Sequence, residues 1–356
     1  MVTTNKNAAQ LKAAVTVSRL YYIDKISQTA IAKRLSLSRP TVSRLLQLAQ
    51  DQNIVQITIN NPFEQVSSLP QKLAQKYHLQ KVLVADQVGD SYQSILNQIG
   101  ELAANYLGTI VEDNDTIGLT WGTTMAAIAK YLQPSTKKNV QTVYLKGTVS
   151  NSSRNNYSSI ITQQFNASFH TQTEILPVPV IFDNQKTRDL VLQDQFIKRI
   201  IKQGQDAQIA LFTVGTTRPE AMLFQLGYFT QQQINFLEAH AVGDVLSQFI
   251  TKNGTIAAPK IAQRTVSLPL ADLKHKRQSI LVAGGIEKLP AIHAVLTGGY
   301  ANVLITDLNN AEKLLEMWFA VIIHIHIKNS LSKAKSFSEG CYYSNYCSFS
   351  LNFRSK

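Results

Sequence analysis

Six apolar runs recur along the chain: KVLVAD (81–86), TIGLT (116–120), TVYLKG (142–147), AQIALFTVG (207–215), SILVAGG (279–285) and NVLITD (302–307). Each is continuous rather than alternating, and longer helical stretches separate them. A strand that is apolar at nearly every position has to be covered on both faces, and the intervening helices supply that cover. The pattern predicts an α/β fold built on a parallel sheet. With 356 residues, 44% of them hydrophobic, the chain can bury a large core and hold two or more domains.

Sheets of this kind bind ligands at the carboxyl ends of their strands. Four of the runs end in glycine or hydroxyl residues. The first leads into Trp121-Gly122-Thr123-Thr124 and a helix, and the second ends Leu145-Lys146-Gly147. The third passes into Gly215-Thr216-Thr217, and the fourth opens into Gly284-Gly285 with Lys288 close behind. One glycine after a strand marks only a turn. Four such loops on one sheet edge, with threonines and a lysine, predict an anion pocket. Thr123 and Thr124 open a helix, where free amides and the helix dipole suit phosphate, and Lys288 adds a point charge. Neither the GxGxxG dinucleotide pattern nor the P-loop pattern is present.

Lys146 stands out at the end of an apolar strand. Three roles are open to it: a structural ion pair, a charge for a phosphate, or a nucleophile toward an open-chain aldehyde. The last needs a neutral amine, which burial beside Tyr144 and Leu145 would promote.

The amino end has a different character. Residues 1–50 carry eight Lys and Arg against one acid, Asp24, a net +7 of the chain's +12. Such a basic segment points to polyanionic partners. Within it, QTAIAKRLSLSRPTVSRLLQ (28–47) meets the requirements of a helix-turn-helix. Ile31, Leu35, Leu37, Val42 and Leu45 supply the apolar offsets, Ala32 the small contact and Ser36 the turn. Ser38 caps the second helix, with Pro40 in its first turn. Ser38, Arg39, Thr41, Ser43, Arg44 and Gln47 are the candidate DNA-binding residues, being of types that bond base edges and phosphates. A helix near 8–22 is expected to pack on the pair, and 54–59 alternates like a wing strand. The domain reading is 1–60 for the DNA-binding part and 61–316 for the ligand part, after Asn60-Asn61-Pro62.

The first ten residues lack the layout of a signal peptide, and the longest apolar run, 317–327, is too short to cross a bilayer. The expectation is a cytoplasmic protein with no membrane partner. Both cysteines, Cys341 and Cys347, lie in the tail, so no disulfide framework is expected. His324, His326 and those cysteines match no zinc spacing, and neither metal nor cofactor is expected.

Residues 17–57, together with GLTWGTT, ALFTVGTT, AVGDVLSQF and ILVAGGIEKLPAIHAVLTGGYANVLITD, resemble the SorC family of bacterial sugar-responsive transcription regulators. The resemblance covers about residues 10–316. YLKGTVS, LPVPVIFDN and FQLGYF resemble the family's deoxyribonucleoside-regulator branch. It implies a winged helix-turn-helix followed by a sugar-phosphate isomerase-like domain, homo-oligomers that are commonly tetramers, and a phosphorylated sugar as effector. For the named branch, that effector is deoxyribose 5-phosphate and the action repression. Carried over by motif, Gly122, Thr123, Thr124 and Lys288 take the phosphate, Gly147 and Gly215 line the sugar site, and Asp244 bonds sugar hydroxyls. Two departures stand out: Thr148 follows Gly147 where relatives often carry a second glycine, and 317–356 is an atypical tail with the irregular look of a frameshifted end.

The rival class is an enzyme, a sugar-phosphate aldolase or isomerase using Lys146 as a Schiff-base lysine. Asp244, Asp307, Glu287 or His293 would then move protons. No spacing of acids enforces that role, and an aldolase leaves the basic amino end unexplained. A purely architectural DNA protein leaves the large α/β part without purpose. The reading is a regulator with no catalytic residues.

Overall fold

Each apolar run forms a strand because its residues serve two cores at once. In the computed structural model, which describes residues 3–52, 54–55, 68–86, 91–149 and 157–317, the strands of the main sheet are β1 (Lys81–Ala85), β2 (Thr116–Leu119), β3 (Gln141–Tyr144), β4 (Ile209–Phe212), β8 (Gln278–Val282) and β9 (Val303–Asp307). A small second sheet holds β5 (Val214–Gly215), β6 (Gly243–Val245) and β7 (Gln248–Ile250). The main sheet is parallel throughout, in the order β1-β9-β8-β4-β2-β3.

Ile209 and Leu211, Ile280 and Val282, and Val303 and Ile305 face one core with Ile99, Leu107 and Ile128. The residues between them, Ala210, Phe212, Leu281 and Leu304, face the other with Leu73, Ile292, Val295 and Leu314. Period-2 alternation is thus present in space but invisible in the sequence, because both faces are apolar.

The chain divides into two compact units, 1–66 and 67–356. In the first, α1 (Thr3–Ser18) runs into a π-helical turn, Arg19–Ile23, and is followed by α2 (Gln28–Arg34) and α3 (Arg39–Asp51). Caps set the starts: Ser27 accepts from the Ala30 N–H, and Ser38, in extended backbone, accepts from the Thr41 N–H at 3.3 Å. Ser36 turns the chain between α2 and α3 at φ 52°, and the Leu37 N–H returns to the Ala32 carbonyl. Val17, Ile31, Ala32, Val42 and Leu46 form the core of this unit, with Leu35, Leu37 and Leu45 half-buried against it. The wing expected at 54–59 falls outside the described residues except at 54 and 55, as does the atypical tail beyond 317.

In the second unit α4 (Ser68–Tyr77) leads into β1, and α5 (Tyr92–Ile110) and α6 (Thr123–Tyr131) cover one sheet face. Helix Leu289–Thr297 and a last helix at 308–317 lie on the other. Val143 continues into Tyr144, but Leu145 to Val149 leave the ladder for single bridges to 179 and 267.

Phe212 is fully buried between β8 and β2. Phe212→Ala is expected to cost about 3–5 kcal/mol in urea unfolding; a loss under about 1 kcal/mol would mean that this core collapses around the gap.

Candidate functional site

Two surfaces carry the predicted residues. On α3, Val42, Leu46 and Ala49 are buried, one apolar stripe at helical spacing. Ser38, Arg39, Ser43, Arg44 and Gln47 are exposed and Thr41 half-buried. Ser38 and Thr41 are engaged with each other, Oγ to Oγ1 at 2.8 Å, and Gln47 donates to Asp51 within the helix at 2.9 Å. Among the described residues neither Arg39 nor Arg44 has a carboxylate within ion-pair distance. The exposed face therefore keeps two uncompensated guanidinium groups.

The second surface is a cavity of about 510 Å³ at the carboxyl ends of β2, β3, β4 and β8. Its lining includes Trp121, Gly122, Thr123, Thr124, Lys146, Gly215, Asp244 and Lys288. Gly122 stands at the start of α6 with φ 137°, a backbone region that a side chain makes strained. Gly122, Thr123 and Thr124 at the start of α6 line the cavity, and the first amides of a helix have no partner within it. Lys288 Nζ donates to Thr124 Oγ1 at 3.2 Å, and Thr213 Oγ1 donates to the same oxygen at 3.4 Å.

The loop that brings Lys288 there is clamped from beneath. Gly285, at φ 89°, donates its N–H to Asp307 Oδ2 (2.9 Å), while its carbonyl accepts from Asn310 Nδ2 (3.0 Å). Asp307 also caps the last helix through the Asn310 N–H. Asp307 is thereby occupied in holding the backbone, and His293 Nδ1 is hydrogen-bonded to the Tyr77 hydroxyl at 2.8 Å. Neither lines the cavity, which removes both from the set of proton shuttles.

Lys146 lies on the Trp121 ring, its Nζ 3.6 Å from the centroid, and donates to Ser247 Oγ at 3.2 Å. Trp121 is itself fixed by Nε1 donating to the Gly147 carbonyl at 2.9 Å. Burial pushes the Lys146 ammonium down to about 8, against the opposing pull of Asp244. No carboxylate among the described residues is within ion-pair distance of Lys146, so the structural ion pair is the role that the geometry does not support. Burial also pushes the Asp244 carboxyl up, opposed by Lys146, the Ser247 N–H and Lys288.

Gly215 pairs with Asp244 across β5 and β6, and a Cβ at 215 would lie 2.0 Å from Asp244 Oδ1. Only glycine leaves room for that carboxylate. Gly147, expected at the sugar site, is not among the residues that line the cavity, and a Cβ there would meet the Val178 and Pro179 carbonyl oxygens at 2.6 and 2.8 Å. Its glycine serves close packing of two backbone segments, not ligand approach.

Sequence reasoning missed Trp121 and Ser247. Tyr92, Arg218 and Glu287 also line the cavity, with Arg218 3.8 Å from Glu287 at its exposed rim. Among the described residues no cluster of three or more His, Cys, Asp or Glu could hold a metal, and no helix is long and apolar enough to cross a membrane.

A basic, exposed helix in one unit and, in the next, a parallel sheet whose carboxyl edge holds two buried lysines define the class of sugar-binding transcriptional regulators. The sugar-binding domain family model (Sugar-bind) matches residues 61–316. The chain is 44% identical to the deoxyribonucleoside regulator of Bacillus subtilis strain 168, over 85% of this chain and 96% of that protein. It is 29% identical to the sorbitol operon regulator of Klebsiella pneumoniae, over 87% of this chain and 100% of that one. The crystal structure of that full-length regulator, SorC, superposes with a TM-score of 0.74, over 85% of this chain and 98% of that chain. The chain belongs to the SorC family of sugar-binding transcriptional regulators, close to the deoxyribonucleoside regulator, and is a regulator rather than an enzyme.

Gly215→Ala is expected to drive Asp244 from its place and cost about 1–3 kcal/mol in urea unfolding. Unchanged stability would show that the carboxylate moves aside freely.

Proposed function

We propose that the chain is a cytoplasmic repressor of deoxyribonucleoside or related sugar catabolism genes, released from operator DNA by deoxyribose 5-phosphate. The unit around residues 1–60 reads DNA through α3, with Arg39 and Arg44 as its main contacts and Ser38, Thr41, Ser43 and Gln47 beside them. Residues 61–316 sense the effector, and the working form is a homo-oligomer, a tetramer.

The observation that carries the reading is the cavity's charge. Two buried lysines, Lys146 and Lys288, flank one buried carboxylate, Asp244, and the start of α6 faces the same space. Among these buried groups negative charge is short, while Arg218, Glu220 and Glu287 offset one another in solvent at the rim, and a phosphate ester supplies the missing charge. The phosphate sits at Gly122, Thr123, Thr124 and Lys288, and Asp244 and the Gly215 backbone lie along the sugar. Lys146 then faces the sugar's C1. Its neutral amine adds to the free aldehyde, a C–N bond forms, and the carbonyl oxygen leaves as water, taking both amine protons. The resemblance of 44% to a deoxyribonucleoside regulator supports the choice of a 2-deoxy sugar.

Release of DNA requires that the effector bind one arrangement of the oligomer better than the one that holds the operator. In a gel shift on the promoter of the neighbouring catabolic genes, deoxyribose 5-phosphate is expected to free the DNA where inorganic phosphate does not. A complex indifferent to every pentose phosphate would contradict the reading. Arg44→Ala is expected to abolish the shift at physiological salt while leaving the unfolding curve unchanged; wild-type affinity would remove α3 as the reader.

Borohydride trapping followed by peptide mass spectrometry tests the covalent step. Added mass on the peptide containing Lys146 is expected, and its yield is expected to rise as pH passes through about 8, where the amine loses its proton. No added mass would leave Lys146 as a second charge for the phosphate.

A further inference from the structure

The hairpin that joins β6 to β7 is built from the wrong residues for its shape. Val245 pairs with Gln248, so Leu246 and Ser247 alone make the turn, and both sit at positive φ, 52° and 63°. A two-residue turn of this hand selects Asn-Gly or Gly-Gly, because a side chain at positive φ is strained. Here the residues are a leucine and a serine, 1% and 0% exposed. Such backbone strain persists where the surroundings enforce it, and it clusters at functional sites.

Ser247 is where the strain is put to use. Its N–H donates to Asp244 Oδ2 at 3.0 Å, and its hydroxyl accepts from Lys146 Nζ at 3.2 Å. The serine therefore stands between the carboxylate and the amine, which make no direct ion pair. The charged and titratable groups around Lys146 are Asp244 on β6 and, beyond it, Lys288 in the 286–288 turn, with the Trp121 ring beneath the amine. Arg218, Glu220 and Glu287 stand at the rim.

We propose that Ser247 is a positioning residue that pins one N–H of Lys146, holds the amine off Asp244 and leaves its lone pair directed at the cavity. This proposal rests on the reading of Lys146 as the group that meets an aldehyde. Ser247 itself does not line the cavity and touches no ligand; it acts through Lys146. By keeping a carboxylate from pairing directly with the amine, it lets burial outweigh the pull of Asp244 in setting the amine's readiness to react, and so selects phosphosugars that open to a free aldehyde over those that stay closed.

Ser247→Gly separates this role from a structural one, because the two predict opposite signs. Glycine relieves the strained φ, so the variant is expected to be at least as stable as the wild type in thermal unfolding. Without the hydroxyl, Lys146 relaxes toward Asp244 and holds its proton more tightly. Competitive acetylation of the full-length protein with acetic anhydride, read by peptide mass spectrometry, is expected to place the wild-type Lys146 midpoint near pH 8 and the variant's clearly higher. Borohydride-trapped deoxyribose 5-phosphate at neutral pH is expected to fall roughly ten- to a hundredfold, the cost of a misplaced reacting group. Ser247→Ala, which keeps the strained β-carbon, is expected to show the same shift and loss at lower stability. An unchanged midpoint and unchanged trapping in both variants would overturn the proposal. If the midpoints shift as expected but the wild type itself traps no sugar, the aldehyde reading falls while the positioning of Lys146 by Ser247 stands.

Discussion

Two buried ammonium groups sharing one buried carboxylate is the constraint on which the ligand unit turns. Lys146, Lys288 and Asp244 are 6%, 9% and 7% exposed, and removing such groups from water is unfavourable unless charge and hydrogen bonds compensate. The fold supplies partial compensation: a tryptophan face and a serine for Lys146, a threonine for Lys288 and one backbone N–H for Asp244. Among these three buried groups one positive charge is left unbalanced, in a cavity that the start of α6 also lines. In the proposed reading a phosphate ester completes the set, and the imbalance among the buried groups is what gives it affinity.

Much of this was legible in the sequence, and the reasons differ by residue. The six strands announced themselves because parallel strands covered on both faces read as nearly continuous apolar runs. Helix α3 was legible from Ser38, Pro40 and the spacing of Val42 and Leu46, since caps and helical periodicity are local. Gly122, Thr123, Thr124 and Lys288 could be placed because the carboxyl edge of such a sheet is the one place its loops converge. Gly147 misled for the same reason: it sits at that edge, yet its missing side chain makes room for the 178–179 backbone rather than for a ligand. Ser247 and Trp121 were not legible. A Leu-Ser turn carries none of the usual turn chemistry, and a tryptophan beside an apolar strand reads as ordinary core.

The cavity is also tied mechanically to the start of its own unit. Lys288 stands at the N-cap of the helix Leu289–Thr297, and further along it His293 is hydrogen-bonded to the Tyr77 hydroxyl on α4. Burial pushes the Tyr77 phenol up, so it stays protonated. Beside it Lys76 donates to the Leu314 carbonyl at 2.5 Å. Lys288 is therefore the N-cap of a helix packed on α4, the first described element of the ligand unit. Two-state behaviour needs a contiguous contact of this kind and a ligand with different affinity for the two states.

The central claim is that cavity and reading head share one equilibrium, and thermodynamic linkage makes that claim reciprocal. Calorimetric titration of deoxyribose 5-phosphate into the free protein, and into protein saturated with operator DNA, tests it most directly. The account predicts weaker effector binding in the DNA complex, by the same factor by which saturating effector weakens the operator. Equal effector affinity with and without DNA would contradict it.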